Sequence, residues 1–96
     1  MKTTHPASTF GAIYQKALQS QLKKMGSRLT ALRIARREQI TSVAAAINLR
    51  PDLLERIENG EHDIRIKTLF ALCGYYEIDP ELLIGQGELL HFEIER

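Results

Sequence analysis

Apolar side chains in the first quarter of the chain recur at spacings of three and four: Phe10, Ile13, Tyr14, Ala17, Leu18, Leu22 and Met25. That period puts them on one side of a helix, and with Ser8 or Thr9 as cap it predicts an amphipathic helix over about residues 9 to 24. Gly26 interrupts the pattern. Leu29, Leu32, Ile34 and Ala35 then restart it as a second helix that ends in Ala35-Arg36-Arg37-Glu38.

Further on, Ile40, Val43, Ala44 and Ile47 again keep helical spacing, and the consecutive alanines make that helix thin enough for a steeply crossing neighbour. Asn48 suits the left-handed conformation that ends a helix, with Leu49 packing into the corner. Pro51 fits the first helical position, where its missing N–H has no intrahelical partner. The helix it opens, over 51 to 59, turns Leu54 and Ile57 to the core and stops at Asn59-Gly60. Leu69, Leu72, Cys73 and Tyr76 predict another helix over 66 to 76, despite Gly74, which costs about 1 kcal/mol of helix propensity. Asp79 as cap, Pro80 at the first helical position and Leu82-Leu83 as apolar anchors predict a last short one. The tail alternates instead: Leu90, Phe92 and Ile94 against His91, Glu93 and Glu95, which is strand spacing and predicts pairing with another chain.

These elements add up to an all-α protein with a short C-terminal β-strand. Length, 96 residues, allows one small domain and no deep cleft between two. No stretch approaches the roughly 20 apolar residues of a membrane span, and Lys2 is not followed by an apolar core of signal-peptide length. With Cys73 as the only cysteine, no internal disulfide forms, and a cytoplasmic location is expected.

The net charge is only +1, but it is unevenly spread. Lys16 to Arg37 holds seven basic residues and no acid, whereas Asp52 to Asp63 holds five acids against one basic residue, Arg56. One face can meet phosphates and another cannot. Asp52 and Glu55, in the first turns of their helix, favour its positive dipole end. Nothing converges as a reactive site. His5, His62 and His91 lie apart without partners at ligand spacing, and Gly85-Gln86-Gly87 lacks the context of a phosphate loop. Neither catalysis nor a cofactor is implied.

Residues 26 to 84 resemble the Xre or phage-repressor-like helix-turn-helix domains, most specifically in "LRPDLLERIENG" at 49 to 60 and in the Leu32-Arg33 pair. The resemblance implies a five-helix domain over 26–85; the apolar pattern places an extension with the amphipathic helix before it, over 1–25, and a tail read as a dimerisation strand after it, over 86–96. It also implies an ion pair between Arg33 and Glu58, and makes 51 to 59 the recognition helix. Arg50, Pro51, Asp52, Leu53 and Arg56 would then meet base edges in the major groove, with Arg56 binding guanine, Asp52 accepting from cytosine and Leu53 touching a thymine methyl. Arg36, Arg37, Thr41, Ser42 and Asn59 would hold phosphates.

Where the family has glycine, an apolar residue and Thr-Gln before its second helix, this chain has Arg37, Glu38, Gln39 and Ile40. A register shifted by one would let Thr41-Ser42 supply the phosphate contact. The expected partners are double-stranded DNA and a second copy of the chain, related by a two-fold axis on a palindromic operator. The rival reading is an interaction module, an antitoxin or anti-repressor-like fold whose acidic helix meets a protein partner.

Overall fold

The computed structural model of the protein describes residues 4–84, with side chains from residue 11 onward. The alternating segment expected to form a strand lies outside the described residues. Among those described there are five helices and no strand: α1 (Thr4–Ala35), α2 (Ile40–Ala46), α3 (Pro51–Glu58), α4 (Ile66–Tyr76) and α5 (Pro80–Ile84).

The expected break at Gly26 does not occur, and the two helices read on either side of it are one. α1 runs 32 residues, about 48 Å at the α-helical rise. Glycine serves contact here. Gly26 is buried where α1 crosses the end of α3, and a Cβ on it would lie 2.7 Å from the Ile57 carbonyl oxygen and closer still to that of Glu58. The crossing is tight from both sides, since a Cβ on Gly60 would meet the Lys23 backbone at 2.8 Å. Only glycine lets two backbones approach this closely.

Met25 and Leu29 of α1 share one core with Val43 and Ala44 of α2, Leu54 and Ile57 of α3, Leu72 and Tyr76 of α4 and Leu83 of α5. Several of the expected apolar positions are exposed, Ile13, Tyr14, Ala17 and Ala35 among them. Ile34 is 61% exposed and Leu82 65%, because α1 and α5 each pack through the adjoining position, Arg33 and Leu83, instead. Cys73 is buried, and burial pushes its thiol pKa up, which suits an inert core residue.

Four helices end in the same way. After α3 the Glu61 amide donates to the Arg56 carbonyl at 2.9 Å and the Gly60 amide to that of Ile57 at 3.1 Å, with Gly60 at φ 74°. This is the Schellman closure, which satisfies carbonyls the helix leaves open. The same bonds close α1, α2 and α4 around Arg37, Asn48 and Glu77, at φ 57°, 59° and 58°. Asn48 and Gly60 are residues that favour this conformation; Arg37 and Glu77 adopt it at a cost of about 1–2 kcal/mol each.

Glu58 carries the one buried charge among the described residues, its side chain only 3% exposed. Arg33 Nε donates to Glu58 Oε2 at 2.9 Å and Nη2 donates to Oε1 at 3.1 Å, while Nη1 donates to the Glu38 carbonyl at 3.1 Å. Thr30 Oγ1 lies 3.1 Å from Glu58 Oε1. The hydrogen bonds that Arg33 donates to Glu58 hold the guanidinium even more firmly protonated.

Two outcomes are expected in urea unfolding. Gly26→Ala should destabilise by about 1–3 kcal/mol because backbone cannot yield to the new methyl, whereas Gly74→Ala, with open space around it, should stabilise by about 0.5–1 kcal/mol. Equal signs at the two glycines would refute the close crossing. Arg33→Leu should cost about 3–5 kcal/mol by leaving Glu58 charged and unpartnered, and a loss below about 1 kcal/mol would show that the pair does not hold α1 on α3.

Candidate nucleic-acid interface

The turn between α2 and α3 is short because Asn48 reverses the chain at positive φ and Arg50, at φ −70° and ψ 138°, already directs it into the next helix. The Leu53 and Leu54 amides bond the Arg50 carbonyl at 3.1 Å each, and Pro51 takes the first helical position. Leu54, Ile57 and Glu58 anchor the inner side of α3. Pro51, Asp52, Glu55, Arg56 and Asn59 are left exposed along it, as is Arg50 just before it. Leu53 differs, being half-buried against the core.

Arg50 and Asp52 bind each other. Nη2 donates to Oδ2 at 2.8 Å and Nε to Oδ1 at 3.3 Å, a two-pronged pair with both side chains largely in solvent. Arg50 holds the Asp52 carboxyl below the usual carboxylate range, with a smaller contribution from Arg56. The acid at the front of α3 therefore stays ionised and faces a guanidinium. A phosphate-lined groove would meet a compensated pair rather than a bare negative charge.

Of the expected phosphate contacts, Thr41 and Ser42 are exposed in the first turn of α2, and Asn59 is exposed at the end of α3. Ile40 is half-buried on the core and offers no polar group. Arg37 sits at φ 57°, in the left-handed region that favours glycine.

Arg36, exposed at the end of α1, lies against two tyrosines. Its guanidinium carbon lies 5.1 Å from the Tyr75 ring centre and 5.5 Å from that of Tyr76, and Nη1 donates to the Tyr75 carbonyl at 3.3 Å. Tyr75 Oη donates to Glu38 Oε2 at 2.7 Å, which accounts for a carboxylate where the related domains have an apolar residue. This cluster fastens the end of α1 to the end of α4. Burial, with the Glu58 and Glu38 carboxylates nearby, pushes the neighbouring Tyr76 phenol up to about 12.

A cleft of about 350 Å³ borders the recognition helix, lined by Asn48, Leu53, His62, Arg65, Lys67 and Thr68 among others. Arg65 and Lys67, at the start of α4, are exposed beside α3 and were not among the expected contacts. Their signal in the sequence is weak: two cations flanking Ile66, directly after an acidic stretch. Only the fold brings them to the recognition helix.

Among the described residues no group of His, Cys, Asp or Glu is placed to hold a metal ion, and no helix is long and apolar enough to cross a membrane. No curated protein and no solved structure matches the chain. A family model described as helix-turn-helix matches residues 32–83, more than half of it. That span runs from the end of α1 through the short turn and recognition helix to Leu83 of α5, and the chain belongs to the Xre and lambda-repressor-like helix-turn-helix family of DNA-binding transcription regulators.

Proposed function

We propose that the protein regulates transcription by binding a palindromic operator as a homodimer, with α3 of each copy in the major groove. The observation that carries this reading is the exposed front of α3, where Arg50, Asp52 and Arg56 project from a helix fixed by its buried side. Arg56 donates to guanine O6 and N7. Asp52 accepts from cytosine N4, and Arg50 offsets its charge while the helix enters the groove. Pro51 and the outer part of Leu53 give an apolar edge suited to a thymine methyl.

Thr41, Ser42, Asn59 and Arg37 contact phosphates on either side, joined by Arg65 and Lys67 from the start of α4. Arg36 acts behind them, by fastening α1 to α4. Two copies related by a two-fold axis would read half-sites about 34–36 Å apart, or a multiple of that spacing.

The test is enrichment of genomic fragments by the purified chain over a salt series. Recovery of a palindromic site, with affinity falling by about three to five decades between 50 and 200 mM salt for six to ten phosphate contacts, is the expected result. No enrichment at low salt would overturn it and leave the exposed Glu55, Glu61 and Asp63 to a protein partner, as in an antitoxin or anti-repressor. Arg56→Ala should cost about 1–3 kcal/mol and relax the preference at one base position. An unchanged selected consensus would remove Arg56 from base reading.

A further inference from the structure

We propose that Arg50 reads a second guanine in each half-site, with its guanidinium aimed by Asp52; this deepens the operator reading given above and rests on it. A long side chain on a surface gives up much rotamer freedom when a base fixes it. Arg50 is already held. Its backbone is set at φ −70° and ψ 138° by the entry into α3, and Asp52 lies two residues on, in the first turn. Nε donates to Asp52 Oδ1 at 3.3 Å and Nη2 donates to Oδ2 at 2.8 Å.

Those two bonds occupy one edge of a planar fork that carries five N–H donors. The adjoining edge, one N–H of Nη1 beside the second N–H of Nη2, is left over. Among the described residues Arg50 gives its side-chain hydrogen bonds to Asp52 alone, and its side chain is 77% exposed, so that edge is open to solvent. Two parallel donors in one plane match the acceptors O6 and N7 that guanine presents in the major groove. Asp52 keeps its own capacity, since a carboxylate has about four acceptor positions and Arg50 takes two of them. Room remains for cytosine N4.

The pair sits at the end of α3 whose residues meet base edges in this class of docking. Asp52, Arg56 and Asn59 follow one another at spacings of four and three on the exposed side of the helix. Arg50, seated on Asp52, extends that row by one position ahead of Arg56. Asp52 and Arg56 are anchored about 6 Å apart along the helix, which gives the two guanidiniums separate bases. An exposed ion pair contributes little to folding, so its loss shows in recognition and not in stability. Offsetting the Asp52 charge would need only a cation, whereas reading guanine beside Asp52 needs the arginine fork.

Selection from a randomised double-stranded DNA library by the full chain tests this, with the wild type beside Arg50→Lys, Asp52→Asn and Arg56→Ala. The wild type should select two separate guanines per half-site. Arg50→Lys keeps the charge and removes the fork, and should lower the preference for one guanine by about ten- to a hundredfold while the guanine lost in Arg56→Ala is kept. Asp52→Asn should weaken the same guanine as Arg50→Lys, and should also tighten binding to unselected DNA, because an acid has left a surface that meets phosphates. A consensus that Arg50→Lys leaves unchanged would overturn the proposal and leave the operator reading standing. An Asp52→Asn effect confined to other positions would do the same. A wild type that selects no sequence would overturn both.

Discussion

The seat of α1 on the last turn of α3 is the contact on which the other features rest. A recognition helix of eight residues is far too short to stand alone, so its direction must come from what grips it. The grip is made by Lys23, Gly26, Thr30 and Arg33, successive positions on one side of α1. Two of them permit backbone contact with Gly60 and the end of α3, and two supply polar contacts to Glu58. Apolar packing alone would let α1 slide along α3. A charged carboxylate that is almost wholly buried allows one register, because leaving it would strand the charge.

From that fixed end, the opposite end of α3 projects with its polar residues exposed. The acidity of this helix, which looks unsuited to DNA, divides into separate local causes. Glu58 is the buried half of the tie to α1, and Asp52 is bound by Arg50. Glu55 lies in the first turns, where the helix dipole favours an acid. Glu61 is the residue whose amide closes the end of α3, a role that leaves its side chain outside. Asp63 lines the same cleft as Arg65 and Lys67. The net result is a helix front with less uncompensated negative charge than the residue count suggests.

A second tie joins the end of α1 to the end of α4. Arg37 takes a conformation suited to glycine, and Glu38 puts a half-buried carboxylate next to it. The backbone strain is local, and the polar residue is accommodated by Tyr75, whose hydroxyl donates to its carboxylate, and by Arg36, 3.7 Å away and stacked on both tyrosines. Arg36 thereby joins α1 to α4, while Arg65 and Lys67 line the cleft beside the recognition helix.

Local pattern determined that α2 to α5 are helices, and close to where they lie, because α2, α3 and α4 bury a stripe at a spacing of three and four and α2, α3 and α5 are bounded by Asn48, Pro51, Gly60 or Pro80, residues with strong backbone preferences. Their burial was legible too at Leu54, Ile57, Leu69, Leu72, Cys73 and Tyr76. Gly26 was misleading: local propensity makes glycine a breaker, and only the crossing of α1 over α3, formed by residues some thirty positions apart, makes its missing side chain a requirement. Ile34 and Leu82 were misleading for the same reason, since periodicity does not say where the neighbouring helix ends. The Arg50–Asp52 pair, the seat of Arg36 on the two tyrosines and the approach of Arg65 and Lys67 to α3 were decided by tertiary structure, because they depend on which side of each helix is left over once the core is packed.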